Sequence, residues 1–220
     1  TALREVLKKE GADYLLTSKL DDIAWIFNLR GSDVPDNPVF YAYSLIPAKG
    51  NATLFINEEK VPADLKEQLA EEGVVLAPYH SVGAALASLS SGTVLADPEE
   101  INASLLSRLP EQITQLELPN PIELMKALKT PEEIELISEA MLKDGVALVR
   151  FFAWLDRNLG KEEMTEQSLA DKLLYFRKSL PGYISLSFET ISAFGPNAAL
   201  PHYQPEKTGG AQIRGNGFLL

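Results

Sequence analysis

The sequence predicts two domains of different class, an α/β domain with a mixed sheet over residues 1–119 and the first part of an α+β domain over residues 120–220. Three observations predict this. Short runs of β-branched and aromatic residues alternate with helix-period segments through the first half, and parallel strands need helical crossovers between them. One strand pair is joined only through Lys49-Gly50-Asn51, short enough for a hairpin, so the sheet is mixed. At Leu118-Pro119-Asn120-Pro121, a proline-flanked joint, the texture changes and the segments lengthen.

In chain order, a charged amphipathic helix ends at Gly11 and runs into the strand Asp13 to Thr17. Leu20, Ile23, Ala24 and Phe27 fall on one face of the next helix. Pro38 to Pro47 and Ala52 to Ile56 read as the hairpin strands. The rhythm continues with a helix from Pro62 to Glu72, a strand Val74 to Ala77, a helix Ser81 to Leu89 and a strand Thr93 to Ala96. A helix over 99–108 and a strand over Ile113 to Leu116 complete the first half. Thr130-Pro131-Glu132-Glu133 then opens a long helix: Thr130 caps, Pro131 sits in the first turn and Glu133 closes a capping box. Ile134, Ile137, Met141, Leu148, Phe152 and Leu155 mark its expected buried stripe. A second helix starts at Thr165, with Met164 and Leu169 as a hydrophobic staple, and stops at Pro181-Gly182. Strand-like segments follow at Glu189 to Ala193 and Asn216 to Leu220. The apolar run Gly217-Phe218-Leu219-Leu220 reads as a strand interrupted inside a domain, because domain ends are ordinarily polar and exposed.

Composition excludes several functions. A formal charge of −11 disfavours a nucleic-acid partner, which needs a basic face. With no cysteine there is no disulfide, thiolate metal site or cysteine nucleophile. No apolar run approaches the roughly 20 residues a membrane span needs, and the first residues lack a signal-peptide pattern, so a soluble, cytoplasmic chain is expected. There is no GxGxxG, no Walker-type loop, no HExxH and no GxSxG. Carboxylate pairs such as Glu132-Glu133 and Glu162-Glu163 lie at helix starts, where they suit the positive helix end. Of the two histidines, His80 reads as a loop or cap residue. His202, between Pro201 and Tyr203 and after the turn cluster Phe194-Gly195-Pro196-Asn197, is the one candidate for chemistry, and the residues alone give it no partner.

Longer stretches carry a resemblance. Asp21-Asp22-Ile23-Ala24-Trp25-Ile26-Phe27-Asn28-Leu29-Arg30-Gly31-Ser32-Asp33-Val34, followed by Asn37-Pro38-Val39-Phe40, resembles the second domain of the long, three-domain Xaa-Pro aminopeptidases (aminopeptidase P). Lys126 to Met141 resembles the segment entering their catalytic domain. Ser185-Leu186-Ser187-Phe188, Ile191-Ser192 and Gly195-Pro196-Asn197-Ala198 through Pro201-His202-Tyr203 resemble the strand and loop that carry an active-site histidine. The resemblance covers nearly the whole chain. It implies a creatinase-like α/β N-terminal domain with a mixed sheet, followed by the first part of an α+β pita-bread catalytic domain.

The implied reaction releases the N-terminal residue from peptide substrates with proline in second position. The implied cofactors are two divalent metal ions, usually manganese, held by two aspartates, one histidine and two glutamates. All five ligands are expected after Leu220, so this chain alone is expected to bind no catalytic metal and to lack peptidase activity. His202 matches a histidine that is not a metal ligand. The resemblance implies that it is catalytic and substrate-binding, donating a hydrogen bond near the scissile bond, with Tyr203 and Asn197 as scaffold for its loop. A homodimer is allowed. Two alternatives stand beside the peptidase: a creatinase-like enzyme working through histidine without metals, and a non-catalytic pita-bread interaction module. The Asn28-Leu29-Arg30-Gly31-Ser32-Asp33 block favours the peptidase.

Overall fold

The computed structural model describes residues 2–206 and 209–220. The chain divides into two compact units, Thr1–Leu128 and Lys129–Leu220. The first unit is built in the order α1 (Ala2–Glu10), β1 (Tyr14–Thr17), α2 (Leu20–Ile26), β2 (Ala42–Pro47), β3 (Ala52–Ile56), α3 (Ala63–Glu71), β4 (Val74–Pro78), α4 (Val82–Ala87), β5 (Thr93–Ala96), α5 (Ala103–Leu106), β6 (Thr114–Glu117) and α6 (Pro121–Ala127). The six strands form one sheet in the order β4-β3-β2-β1-β5-β6. Only β2 runs against its neighbours, paired antiparallel with β1 and β3; the other contacts are parallel. The expected mixed sheet is therefore a parallel sheet with one reversed strand.

Both faces of the sheet's centre are covered, which is why its inner strands are largely apolar runs, whereas the edge strand β6, Thr114–Glu117, is mostly polar and exposed. Leu16, Leu45, Phe55 and Val94 pack with Val82 and Leu86 of α4 and Leu105 of α5. On the opposite face, Leu54 and Ile56 pack with Ile23 of α2 and Leu69 of α3. Beside them, Leu15, Ile46 and Leu95 meet Leu3 and Leu7 of α1 and Ile122 of α6. Each such fully buried side chain contributes about 1.5–3 kcal/mol by leaving water.

Two expectations change here. Residues 38–41 are not strand: Gly31 N donates to Pro38 O, Asp33 N to Val39 O and Tyr41 N to Asp33 Oδ2, so this backbone is satisfied by the 31–33 loop before β2 begins. Gly31 is needed for that approach, since a Cβ there would lie 2.7 Å from Phe40 Cβ. The predicted helix over 99–108 shrinks to the single turn α5, capped by Asn102, whose side chain accepts from Leu105 N. The proline joint itself opens a helix: Asn120 caps α6 with Pro121 in its first turn, and α6 groups with the first unit, which ends at Leu128.

The second unit holds α7 (Pro131–Asn158), α8 (Glu166–Lys178) and a 3-10 turn, Gly195–Ala199. Both predicted helix starts are present, with reciprocal capping boxes at Thr130/Glu133 and Thr165/Ser168. The staple pair Met164 and Leu169 is buried against Phe151 and Leu173. The buried stripe of α7 differs from expectation. Ala147 and Phe151 are buried, with Leu148, Trp154 and Leu155 half-buried beside them. Ile134, Ile137, Met141 and Phe152 are 56%, 48%, 66% and 59% exposed. The packed face is rotated by roughly a quarter turn because it is set by where α8 lies, and α7 is apolar over a band wider than one partner covers. The strand-like segments near 189–193 and 216–220 reduce, among the described residues, to one antiparallel bridge, Phe194↔Leu219, flanked by Ala193 N→Leu220 O (3.1 Å) and Gly195 N→Phe218 O (2.8 Å). Of the apolar run 217–220, only Leu219 packs; Phe218 is 73% and Leu220 59% exposed.

Candidate functional site

His202 lies in the turn that follows the 3-10 segment, and its side chain is exposed. Its backbone has φ +56°, the left-handed region that residues with a Cβ seldom occupy. His80, the other histidine, sits in a 3-10 turn ahead of α4, edge-on to the Tyr79 ring at 5.2 Å. The structure thus leaves His80 a loop residue and holds His202 in a conformation that must be maintained from outside.

The residues on either side of His202 are held by Glu166, the first residue of α8 and fully buried. Its Oε1 accepts from Phe194 N (2.6 Å) and Asn197 Nδ2 (3.0 Å), and its Oε2 from the Tyr203 hydroxyl (2.6 Å) and Ala211 N (2.8 Å). Asn197 Nδ2 also donates to the Tyr203 oxygen at 3.0 Å. Three separated segments therefore meet on one carboxylate: the start of α8, the 194–203 loop and the return at 209–211. The return segment also supplies the partners of α8's first N–H groups, Glu166 N→Ala211 O (3.0 Å) and Gln167 N→Gly209 O (3.1 Å), which would otherwise be orphans of the helix start. Gly210 permits this wrapping, since its φ is +66° and a Cβ would fall 2.6 Å from Glu166 Oε2.

Burial pulls the Glu166 carboxyl up, but the hydrogen bonds from Tyr203, Phe194 N, Ala211 N and Asn197 outweigh it and hold it below the usual carboxylate value. In return, the carboxylate pushes the Tyr203 phenol up to about 12, so the tyrosine remains a donor at neutral pH. Sequence reasoning named His202, Tyr203 and Asn197 but missed Glu166. The available signal was a glutamate directly after the Thr165 cap, which reads as ordinary helix-start acidity.

A second polar cluster sits in the first unit, where the C-terminal ends of β1 and β5 meet and the strand order reverses. Open α/β sheets bind ligands in the crevice at this point. Here the crevice is filled by the chain itself. Buried Asn120 donates through Nδ2 to Asp22 Oδ2 (3.0 Å), Glu100 Oε2 (3.0 Å) and Thr17 Oγ1 (3.3 Å). Lys126 of α6 pairs with both Asp21 and the fully buried Asp22, and Lys19 pairs with Glu100 and Glu123. Burial would lower the Lys126 ammonium, but Asp21 and Asp22 outweigh it and raise it, while Asp21 is held below its ordinary value by the same pairing despite its own burial.

Asp22, Glu100 and Glu123 bring carboxylate oxygens within 4.8 Å of one another and are the one such group among the described residues. Two lysines and an amide already occupy them, so they make a hydrogen-bonded, partly charge-compensated plug. A dinuclear metal centre needs several unpaired carboxylate and imidazole donors converging beside His202. The buried carboxylate there, Glu166, has both oxygens taken by four donors, so the described residues of the second unit do not fit such a centre. An apolar hollow of about 890 Å³ in the same unit, lined by Met141, Leu173, Tyr183, Phe188 and Leu220 among others, does not include His202.

Comparison with known proteins gives this geometry its class. The model of the creatinase/prolidase N-terminal domain matches residues 1–133, and that of metallopeptidase family M24 matches residues 135–220. The class is a creatinase-like α/β domain followed by the start of a pita-bread metallopeptidase domain. The chain belongs to the creatinase/prolidase N-terminal domain family, and its remaining residues are similar to metallopeptidase family M24. The probable Xaa-Pro aminopeptidase P of Sordaria macrospora is 36% identical over 234 residues, covering 100% of this chain and 38% of the relative. The Xaa-Pro aminopeptidase 1 of Dictyostelium discoideum is 38% identical over 228 residues, covering 99% of this chain and 35% of the relative. A crystal structure of X-prolyl aminopeptidase from Caenorhabditis elegans, described as a cytosolic enzyme with a di-nuclear active site, matches with a TM-score of 0.90 at 32% identity, over 99% of this chain and 37% of that one. The chain thus spans a little over a third of the length of the curated relatives it matches. No helix among the described residues is long and apolar enough to cross a membrane.

Proposed function

We propose that these residues are a section of a metal-dependent Xaa-Pro aminopeptidase that hydrolyses the first peptide bond of substrates with proline in second position. Residues 1–128 serve as its creatinase-like domain and 129–220 as the opening part of its catalytic domain. The named relatives at 36% and 38% identity support this class of reaction. The observation in this chain that carries it is His202, exposed at φ +56° in a turn whose two polar neighbours, Asn197 and Tyr203, are bonded to a buried carboxylate. Strained backbone of this kind persists where surrounding structure enforces it, and such places cluster at functional sites.

In this reading His202 presents an imidazole to the substrate beside the scissile bond and donates a hydrogen bond that strengthens as charge develops on the carbonyl oxygen. Two divalent metal ions, manganese by the family resemblance, belong to the reaction, and their ligands lie in the part of the longer protein outside these residues. No step is assigned to them from this chain. A cytoplasmic enzyme is the accompanying proposal, supported by the neighbour described as cytosolic. A homodimer is the assembly proposed, on the resemblance alone.

The test is His202→Asn in the full-length protein. Asparagine tolerates the left-handed backbone, so the turn is kept while the imidazole is lost. The expected result is a fall in kcat/KM on an Arg-Pro-Pro peptide of about 10²–10³-fold, the range for losing one transition-state donor, with an unchanged melting temperature. Wild-type kcat/KM in this variant overturns the role given to His202.

A further inference from the structure

We infer that Glu166 is a positioning residue for the proposed reaction, acting through His202 by fixing the turn that presents it; the inference rests on the reading of His202 given above. The carboxylate makes no hydrogen bond to the imidazole and, being fully buried, is not itself within a substrate's reach. What it touches is the frame on both sides of His202. On one side Asn197 Nδ2 donates to it at 3.0 Å and Phe194 N at 2.6 Å, anchoring the 3-10 turn that leads into the loop. On the other side the hydroxyl of Tyr203, the next residue, donates at 2.6 Å. Between these anchors the left-handed backbone of His202 turns the chain, so that Tyr203 reaches the carboxylate while the His202 side chain is exposed.

The anion is required as such. Four donors from the loop and the return segment converge on two oxygens, and among the described residues no lysine or arginine pairs with this carboxylate. A neutral glutamine offers one accepting oxygen, and its NH₂ would face hydrogens that already point inward. Replacing the glutamate therefore releases one end of the frame, and the Tyr203 and Phe194 anchors can no longer both be held. A reacting group displaced by about 1 Å loses on the order of 10² in rate. Because the effect travels only through His202, it must vanish once the imidazole is gone. A merely structural glutamate would show no such dependence.

The experiment is a double-mutant cycle in the full-length protein, reading kcat and KM on an Arg-Pro-Pro peptide for Glu166→Gln, His202→Asn and the pair. The expected result is a loss in kcat/KM of about 10² for Glu166→Gln, carried mainly by kcat, and a double variant no slower than His202→Asn alone. Losses that multiply in the double variant overturn the inference, as does wild-type activity in Glu166→Gln. Wild-type activity in His202→Asn instead overturns the reading of His202, and is told apart because it appears in the single variant without Glu166. Should Glu166→Gln fail to fold, Tyr203→Phe removes one anchor and keeps the charge. Its loss is expected at about 10-fold, and it too must disappear in the His202→Asn background. If it persists there, the inference falls.

Discussion

Each unit of this chain buries one carboxylate, and the two are neutralised by opposite means. Asp22 sits at the switch point of the sheet and is met by a full positive charge, Lys126, with Asn120 filling its second oxygen. Glu166 sits at the start of a helix and, among the described residues, is met by dipoles, two backbone N–H groups, an amide and a phenol. A charge-paired carboxylate depends on one long side chain and is lost with it. A dipole-solvated carboxylate spreads its dependence over several short-range donors, each replaceable in part, and so holds several loop segments in register at once. The first arrangement suits a plug and the second a frame.

The largest effect is expected at Lys126. Lys126→Met leaves the buried Asp22 without its cation and is expected to remove about 3–5 kcal/mol from the first unit, read as a fall in the urea midpoint followed by the unit's own tryptophan, Trp25. Neutralising both partners, Asp22→Asn with Lys126→Met, is expected to recover most of that loss, since no uncompensated charge then remains buried. If the double variant is no better than the single one, Lys126 acts by packing and the contrast with Glu166 fails. Glu166→Gln is expected to have a smaller effect on the second unit, about 1–3 kcal/mol, the penalty of leaving inward donors unmatched.

The folded Glu166 carboxyl is held below the unfolded glutamate value of 4.5, so its contribution is complete above that value and is lost as pH falls through the lower, folded one. The gap in melting temperature between wild type and Glu166→Gln should therefore stay constant from pH 7 to roughly 5 and close below it. A gap that widens in acid contradicts the assignment. The smallest effect is spectroscopic. In an ultraviolet alkaline titration, the Tyr203 phenol, pushed up to about 12 by its bond to Glu166, should return toward 10.0 in Glu166→Gln.

Elements with signals confined to a few adjacent residues were legible in the sequence. The capping box at Thr130, the helix start at Thr165 with its Met164/Leu169 staple and the apolar strand runs of the first unit's inner sheet are of this kind, and the structure carries them. Less legible was anything decided by a partner far away. Asn120-Pro121 has the same cap-then-proline form as Thr130-Pro131, yet the flanking prolines made it read as a domain boundary, while its amide is spent on Asp22 and Glu100, 98 and 20 positions away. The stripe of α7 was misplaced because periodicity identifies an apolar band and α8 selects which part of it is covered. In the candidate site, His202 was visible as a rare residue after a rigid turn. Glu166 was not, because two of its donors are backbone N–H groups that no sequence pattern advertises.

The plug at the switch point also dictates an order of events during synthesis. Asp22 is made early, and Lys126, its cation, lies 104 residues later. At about 5–20 residues per second, translation leaves the aspartate waiting on the order of 5–20 seconds for its partner. Through that interval the strands and helices of the sheet can emerge, but sealing the crevice would bury a lone negative charge. The first unit is thus kept open at its centre until its last helix has been delivered.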